Sequence, residues 1–300
     1  MTSIEWTRNN DGTQGKTWNP ITGCDKVSAG CTHCYAEGVA KRFWGDRKFS
    51  DVQFHEDRLL QPLSWKKPQR IFVNSMSDLF HKKVTDEQLD QIFAVMALTL
   101  RHTYQVLTKR PERMQNYLRS DAKQRIRMTA VDIGRKLNLT AAFEPYETCQ
   151  YDWPLPNVWL GVTTENQKTA NERIPFLRHC PAAVRFLSCE PLLEPIELFD
   201  VDGEVSLAFQ AMYEREMLFP ADVIDWVIIG GESGHKARAC KVDWIRSIVA
   251  QCQLAEVPVF VKQLGSYPVE NFGKLELASK KGGDITEFPP ELQIRQFPST

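Results

Sequence analysis

Six short apolar segments, each ending in polar residues, constrain the fold of this 300-residue chain more than any other feature. Each segment has the length of a strand and is rich in β-branched or aromatic residues. Their hydrophobicity is nearly continuous, which is typical of strands buried on both faces of a sheet. The segments are RIFVNSMSD (70–78), YQVLTKRP (104–111), VWLGVTTEN (158–166), VRFLSCEP (184–191), DWVIIGGESG (225–234) and VPVFVKQLG (257–265).

Helical patterns separate these segments. Thr85 and Gln88 form a capping-box signature at the start of TDEQLDQIFAVMALTLRH (85–102). Further helices are predicted at 165–178 and 241–253. Strands that alternate with helices indicate βαβ units and a parallel sheet, which right-handed crossovers curl into an open or closed barrel. The apolar face predicted for the first of these helices consists of Leu89, Ile92, Phe93, Met96 and Leu100.

The number of strands favours a partial barrel. Six segments and a further candidate strand near TWNPITG (17–23) fall short of the eight strands of a full (β/α)8 barrel. We therefore predict an α/β fold, a partial TIM-like (β/α)6 barrel, as a single domain over 1–300 with its core at about 17–265. The interval 112–156 is interpreted as an insertion, a candidate lid, and 266–300 as a C-terminal cap.

Composition and charge narrow the setting. No run approaches the ~20 apolar residues of a membrane span, and the N-terminus has no signal-peptide pattern, so we expect a cytoplasmic protein without membrane contact. The formal net charge of −1 argues against a surface devoted as a whole to nucleic acid, because phosphate binding normally leaves a basic excess. The net charge does not exclude a local basic groove.

Polar side chains gather at the ends of the six predicted strands. In parallel α/β folds the active site lies at the carboxyl ends of the strands, so these residues predict a lined pocket. Helix capping is the alternative for Ser77, Thr164 and Ser233, but it does not explain the lysines and glutamates. The residues are Asn74, Ser75, Ser77 and Asp78; Thr108, Lys109 and Arg110; Thr163, Glu165 and Asn166; Ser188 and Glu190; Glu232 and Ser233; Lys262 and Gln263.

A glycine pair stands after the fifth strand. Gly230 and Gly231 would let the backbone approach a ligand, and the carboxylate of Glu232 would hold an amino or hydroxyl group. A tight turn is the alternative. The pattern is neither a dinucleotide fingerprint nor a P-loop.

Three cysteines cluster in GCDKVSAGCTHCYA (23–36), where Cys24, Cys31 and Cys34 have the spacing C-x6-C-x2-C. A closed zinc site needs four ligands. His33 lies between two of the cysteines and is badly placed to join them, and His55 could serve only through a long loop. The polar loop argues against core cysteines, whereas isolated cysteines are interpreted as apolar fillers. The isolated ones are Cys149, Cys180, Cys189, Cys240 and Cys252.

An iron–sulfur cluster fits three cysteines better than zinc. A [4Fe–4S] cube held by three thiolates leaves one iron without a protein ligand. That iron can chelate the amino and carboxylate groups of S-adenosylmethionine (SAM), and an electron then breaks the C–S bond to give a 5′-deoxyadenosyl radical. The loop would follow a first strand and lead into the helix HCYAEGVAKRFW (33–44).

The three cysteines followed by Tyr-Ala-Glu resemble the radical SAM superfamily, whose fold is a partial (β/α)6 barrel. The chain departs from its usual C-x3-C-x2-C spacing, and His33 replaces the common aromatic residue. A closer resemblance covers almost the whole chain and is to a phage- and prophage-associated family of radical-SAM-like proteins. The segments that carry it are WNPITGCDKVSAGCTHCYAE, FVNSMSDLFH, VLTKRPERM, WPLPNVWLGVTTENQ, RFLSCEPLL, WVIIGGESG and VFVKQLG.

The resemblance implies site roles. Cys24, Cys31 and Cys34 match the cluster ligands, and Ser77 and Asp78, in the segment that begins at Asn74, substitute for the motif that binds the methionine amino group. Thr163 and Glu165 correspond to contacts with ribose or carboxylate, and Tyr35 would either stack on adenine or be a core aromatic residue. Gly230, Gly231 and Glu232 would serve nucleoside contact, substrate contact or a turn. Candidates for substrate contact or catalysis are Lys109, Arg110, Glu190 and Lys262.

We therefore expect a radical SAM enzyme with a [4Fe–4S] cluster and SAM as cofactors and a flavodoxin- or ferredoxin-like electron donor as partner. The target is left open among a nucleotide, a nucleic-acid base and a partner protein. DNA repair like that of spore photoproduct lyase is one version. The alternative from another class is a zinc-stabilised, non-catalytic module that binds nucleic acid or protein.

Overall fold

A computed structural model describes residues 4–139, 153–201, 204–205, 224–271 and 273–299. It shows a mixed α/β fold. The strands are β1 Lys16–Trp18, β2 Ile21–Thr22, β3 Gln53–Phe54, β4 Arg70–Val73, β5 Thr103–Thr108, β6 Val158–Thr163, β7 Val184–Cys189, β8 Asp200–Val201, β9 Glu204–Val205, β10 Trp226–Gly230, β11 Cys240–Lys241, β12 Val259–Gln263, β13 Pro268–Glu270 and β14 Gly273–Lys274. The α-helices are α1 Tyr35–Phe43, α2 Glu56–Leu59, α3 Gln61–Ser64, α4 Asp86–Ala97, α5 Pro111–Arg119, α6 Ala122–Lys136, α7 Gln167–Arg178 and α8 Val242–Leu254.

A seven-stranded sheet has the order β1-β4-β5-β6-β7-β10-β12. All six predicted strands belong to it, and the candidate strand near 17–23 contributes β1 as the seventh. The pairs β1–β4, β4–β5, β7–β10 and β10–β12 are parallel, as expected for βαβ units. The predicted α/β class is therefore confirmed. Among the described residues, no helix combines the length and apolar character needed to cross a membrane.

The chain divides into two compact units, which are described separately. The first comprises residues 1–27, 34–160 and 180–183, and the second comprises 28–33, 161–179 and 184–300. The single barrel domain expected over residues 1–300 therefore stays a prediction.

In the first unit, α4 begins with the predicted capping box, in which Thr85 accepts from the Gln88 backbone. The helix buries Leu89, Ile92, Phe93 and Met96. Leu100 does not belong to that face: α4 ends at Ala97 and Leu100 is 42% exposed.

The predicted insertion at 112–156 is helical where it is described. It contains most of α5 and all of α6, which bury Met114, Tyr117, Leu118, Ala122, Ile126 and Ala130. The Tyr117 ring lies 5.6 Å from that of Phe93 on α4, so apolar and aromatic packing joins α5 to the helical layer. Residues 140–152 lie outside the described part of the chain.

In the second unit, Trp226 on β10 packs against Phe186 and Phe260 on the neighbouring strands and against Phe297. The segment after Gly265 lies on this core. The Val261 amide donates to the Ile294 carbonyl at 2.9 Å, and the Gln296 amide donates to the Val259 carbonyl at 3.0 Å. The C-terminal segment thus satisfies backbone groups of β12 that an open edge would leave unpaired.

Candidate functional site

The three clustered cysteines differ from the other described cysteines in their surroundings. Cys24 follows Gly23, Cys31 ends a short 3₁₀-helix (Ala29–Cys31), and Cys34 is the N-cap residue of α1. None of the three is in a disulfide, and all three are partly exposed. They lie in a polar loop, where a partly exposed thiol can bind a ligand.

The isolated cysteines that the structure describes are core residues. Cys180, Cys189, Cys240 and Cys252 are buried, and desolvation raises the pKa of the Cys189 and Cys240 thiols to about 12. Such thiols are inert as ligands at neutral pH. Their interpretation as apolar fillers is confirmed; Cys149 lies outside the described residues.

In the first unit, a guanidinium group holds the chain at Cys24. Arg110, which follows β5, donates from Nη2 to the Asp25 carbonyl at 3.1 Å and to Asp25 Oδ1 at 2.5 Å. Its Nη1 donates to Asp78 Oδ2 at 2.9 Å and reaches the Cys24 sulfur at 3.6 Å. Arg110, predicted as a substrate contact, is therefore bound to protein acceptors beside a cysteine.

Asp78 is the base of this arrangement. Its Oδ1 accepts from the Phe80 amide at 3.0 Å and from the Thr108 hydroxyl at 2.6 Å. Its Oδ2 accepts from the Lys109 amide at 3.0 Å and from Arg110. Four protein donors match the roughly four acceptor positions of a carboxylate. The described contacts thus make Asp78 a fixed anchor between the ends of β4 and β5.

A buried histidine adds to the anchorage of Asp25. The Lys83 amide donates to His81 Nδ1 at 3.1 Å, so in the neutral ring Nε2 carries the proton. That Nε2 lies 3.0 Å from Asp25 Oδ1. Burial would raise the pKa of Asp25, but His81 and Arg110 outweigh it and lower the pKa. Asp25 is thus held as a carboxylate next to Cys24.

In the second unit, Glu165 supports the loop before Cys31. This side chain is fully buried after β6, where its Oε1 accepts from the Ser28 hydroxyl at 2.6 Å. Its Oε2 accepts from Arg173 on α7 at 3.1 Å, and the same guanidinium donates to the Thr163 carbonyl at 2.7 Å. Gly30 lies so close that a Cβ there would stand 2.3 Å from Glu165 Oε1. Thr163 and Glu165, predicted cofactor contacts, lie in a buried support of the loop.

Glu232 supports the next part of the loop. It follows β10, is buried, and accepts from Arg238 Nε at 2.9 Å and Nη2 at 2.5 Å. Arg238 also donates to the Ala29 carbonyl at 3.0 Å, and His33 Nδ1 lies 3.0 Å from Glu232 Oε2. Burial alone would raise the pKa of Glu232, but the hydrogen bonds from Arg238 and His33 lower it to about 2.

The acid stability of the chain should depend on Glu232. Because its folded pKa of about 2 lies below its ordinary value of 4.5, its contribution is present above about pH 4.5 and is lost as the pH falls toward 2. We expect this loss to be on the order of 2 kcal/mol, and Glu232→Gln to remove it. Urea unfolding between pH 6 and pH 2 measures it. Glu194→Gln, which changes an exposed carboxylate of the same unit, should keep the wild-type loss. An equal loss in Glu232→Gln and wild type would rule out this role.

Glu190 and Lys262 form a pair at the ends of β7 and β12. Lys262 Nζ donates to both carboxylate oxygens of Glu190, at 2.6 and 2.8 Å, and the two side chains are 18% and 20% exposed. Gly230 lies on β10, the strand between them, and a Cβ there would stand 3.3 Å from Glu190 Cδ. The lack of a side chain at Gly230 thus lets the pair form across the middle strand, with both side chains partly exposed.

Gly231 has a packing role. A Cβ at this position would stand 2.2 Å from the Leu264 carbonyl oxygen, and Gln263 Nε2 donates to the Gly231 carbonyl at 2.8 Å. The described contacts show a close backbone approach at Gly231, and the predicted ligand contacts of the glycine pair stay predictions.

The end of β4 carries the remaining predicted cofactor residues. Asn74 is buried in a left-handed backbone conformation, with φ at 59°, and its Nδ2 has no hydrogen-bond partner among the described residues. Ser77 donates to the Ile21 carbonyl at 3.0 Å. Tyr35 is 58% exposed and donates to the Ser75 carbonyl at 2.5 Å, so it is not a core aromatic residue.

The two histidines considered as zinc ligands, His33 and His55, are bonded to other side chains. His55 Nε2 lies 2.7 Å from the Thr22 hydroxyl, and His33 is bonded to Glu232. Within the described ranges, no three His, Cys, Asp or Glu side chains form a group that could hold one metal ion.

Comparison with known proteins assigns a family. Residues 1–287 match the profile of a family described as a protein of unknown function (DUF5131). The chain belongs to this family. No curated protein and no solved structure matches this DUF5131 chain.

Sequence reasoning missed several of the residues that hold the cysteine loop within each unit. Each of the three buried strand-end carboxylates has an arginine partner, and the loop contributes Asp25 and Ser28 as anchors. His81 lies in the quoted segment FVNSMSDLFH, but nothing in that segment shows which carboxylate it faces. The residues missed are Asp25, Ser28, His81, Arg173 and Arg238.

Proposed function

We propose that this chain is a radical SAM enzyme that binds a [4Fe–4S] cluster through Cys24, Cys31 and Cys34. The observation that carries the proposal is the anchorage of the cysteine loop within each unit. Cys24 and Asp25 are bonded to Arg110, which follows β5, and Asp25 also lies against His81, which follows β4. Ser28 is bonded to Glu165 after β6, and His33 to Glu232 after β10. The carboxyl ends of strands are where parallel α/β enzymes place their chemistry.

The donor set fits the cluster. Three partly exposed thiols in one polar loop, none of them in a disulfide, match the three-cysteine ligation of a cube, and each cysteine of a cube binds a different iron. The cluster ligands of a cube therefore need not converge on one ion as zinc ligands must. Once bound, the cluster with SAM would supply reductive cleavage of the C–S bond.

Residues near the end of β4 are the proposed SAM contacts. The Nδ2 of Asn74, which has no partner among the described residues, is a donor suited to a carboxylate, and the exposed ring of Tyr35 is suited to stacking on adenine. Ser77 retains acceptor capacity for an ammonium group. Asp78, Glu165 and Glu232 are reassigned in this proposal to holding the loop, because their oxygens already accept from protein donors.

The Glu190–Lys262 pair is the proposed substrate contact, with Lys109 as a further candidate. A paired ammonium and carboxylate offer a donor and an acceptor side by side, which suits the polar edge of a nucleotide or nucleic-acid base. We further propose that the sheet is that of a partial TIM-like (β/α)6 barrel. Because SAM cleavage consumes an electron, a flavodoxin- or ferredoxin-like protein is the proposed partner.

Anaerobic reconstitution with iron and sulfide, followed by SAM and dithionite, tests this function. We expect formation of 5′-deoxyadenosine and methionine, measured by chromatography. Cys24→Ala, Cys31→Ala and Cys34→Ala should each lower the cleavage rate by at least ~100-fold, because loss of one ligand removes the cube. Cys252→Ala, which truncates a buried core thiol, should retain cleavage.

Two outcomes would count against the proposal. One is a wild-type protein that carries a full complement of iron but does not cleave SAM. The other is a Cys24→Ala, Cys31→Ala or Cys34→Ala variant that cleaves SAM as fast as Cys252→Ala. If SAM is cleaved, adding nucleotides, single-stranded DNA or ultraviolet-irradiated DNA separates the substrate classes. Faster 5′-deoxyadenosine formation together with loss of thymine photoproducts would favour DNA repair over the other targets.

A further inference from the structure

Arg110 is a charged side chain that reaches Cys24 in the first unit. Its Nη1 lies 3.6 Å from the Cys24 sulfur, within the range of an N–H···S hydrogen bond, and is also bonded to Asp78. Its Nη2 holds both the carbonyl and the carboxylate of Asp25, the next residue along the chain. The guanidinium fork therefore binds Cys24 directly and through its neighbour.

The charges around Arg110 favour this arrangement. Its side chain is 13% exposed and faces Asp25, Asp78 and the Cys24 sulfur. A permanently charged, planar donor bound at two carboxylates has little freedom to leave the sulfur.

We propose that Arg110 is the positioning residue for the Cys24 ligand, holding the loop through Asp25 and raising the reduction potential of the cluster through its N–H bond to the sulfur. The inference rests on the proposed function and adds a role that family resemblance does not give. Hydrogen bonds to ligand sulfurs stabilise the reduced, more negative cluster and are a main determinant of its potential.

The proposal also accounts for part of the six-residue gap between Cys24 and Cys31. Asp25, the first residue of the gap, is the anchor for Arg110 and His81. Ser28, inside the same gap, is bonded to Glu165 in the second unit. A three-residue gap would have less room for separate anchors of this kind.

Redox titration of the reconstituted protein, monitored by electron paramagnetic resonance, tests the effect on potential. Arg110→Gln keeps a polar side chain without the charge or the fork, and we expect its cluster to disfavour the reduced state about tenfold, a shift of ~59 mV to more negative potential for a one-electron couple. Arg110→Lys should shift the reduction potential less, because lysine keeps the positive charge. Arg113→Gln is the matched control, since Arg113 lies one turn along α5 and pairs with Asp86.

A second arm uses metal-free protein, so that it does not depend on the cluster. Hydrogen–deuterium exchange of the peptide that contains Cys24 and Asp25 is measured by mass spectrometry. Because Arg110 holds both the carbonyl and the carboxylate of Asp25, Arg110→Gln should speed exchange in this peptide about threefold or more, whereas Arg113→Gln should not.

An unchanged potential and an unchanged exchange rate in Arg110→Gln would overturn the proposal. If wild type assembles no cluster, the proposed function fails, and an unchanged exchange rate then overturns the positioning role of Arg110 as well. If Arg110→Gln does not assemble a cluster, Arg110→Lys decides: a more negative potential supports the proposal and a wild-type potential contradicts it.

Discussion

Arg173→Met is expected to lower the free energy of unfolding by about 3–5 kcal/mol, because it leaves the carboxylate of Glu165 buried without its cation. The two side chains are 6% and 0% exposed, and Arg173 also donates to the Thr163 carbonyl. Urea unfolding followed by circular dichroism measures the change. The cysteine loop should loosen as well, because Glu165 is the acceptor for Ser28.

The double variant Arg173→Met with Glu165→Leu separates a buried charge from lost packing. Replacing both partners by apolar residues removes the uncompensated charge, so we expect it to recover a large part of the loss. Ser28→Ala serves as the control for the hydroxyl bond alone, with an expected cost of about 1 kcal/mol. A single Arg173→Met variant as stable as wild type would show that Glu165 is not held as a buried carboxylate.

Gly30→Ala is expected to cost about 2–4 kcal/mol and to lower the iron content of the reconstituted protein by more than half. An added Cβ would stand 2.3 Å from Glu165 Oε1 and 2.5 Å from its Cγ. Glu165 has little room to yield, since Arg173 and Ser28 hold both of its oxygens. The new methyl group would therefore push the loop away from its support next to Cys31.

Gly38→Ala is the matched control for this substitution. Gly38 lies inside α1, where an added Cβ meets nothing within 4 Å. Alanine there should stabilise the chain by about 0.5–1 kcal/mol, since glycine is a poor helix former. Iron loading should stay at the wild-type level. If Gly30→Ala behaves like Gly38→Ala in both stability and iron content, the close contact with Glu165 does not position the loop.

The strands could be predicted from the sequence because their signal is local. Continuous apolar runs such as VWLGVT and WVIIG belong to strands buried on both faces, and Thr85 with Gln88 marks the start of α4 through contacts within one turn. Leu100 was assigned to the α4 face by periodicity alone. The helix ends three residues earlier, and periodicity carries no information about that end.

The roles of the polar strand ends could not be predicted in the same way. In the sequence, Asp78, Glu165 and Glu232 cannot be distinguished from acidic residues that contact a ligand, because an acidic residue after a strand gives no information about its partner. In the structure each accepts from an arginine, and the Ser28–Glu165 bond joins residues 137 positions apart. Only tertiary structure shows which carboxylates are already paired.

For the cysteine loop, the sequence predicts the polar character but not the contacts that hold it. Its composition predicts a polar loop rather than core cysteines, and the partial exposure of Cys24, Cys31 and Cys34 confirms this. The six residues between Cys24 and Cys31 are held in place by Arg110, His81 and Glu165, which lie far away in the sequence. Their contacts with Asp25 and Ser28 carry no local signature.

Metal analysis of the chain purified and reconstituted without oxygen tests the central claim most directly. Iron, zinc and acid-labile sulfide per chain are measured together by mass spectrometry and colorimetry, with Cys31→Ala as the comparison. The proposed ligation predicts about four irons and four sulfides per chain, with both lost in Cys31→Ala. One tightly held zinc without iron, or a full cube that survives Cys31→Ala, would contradict it.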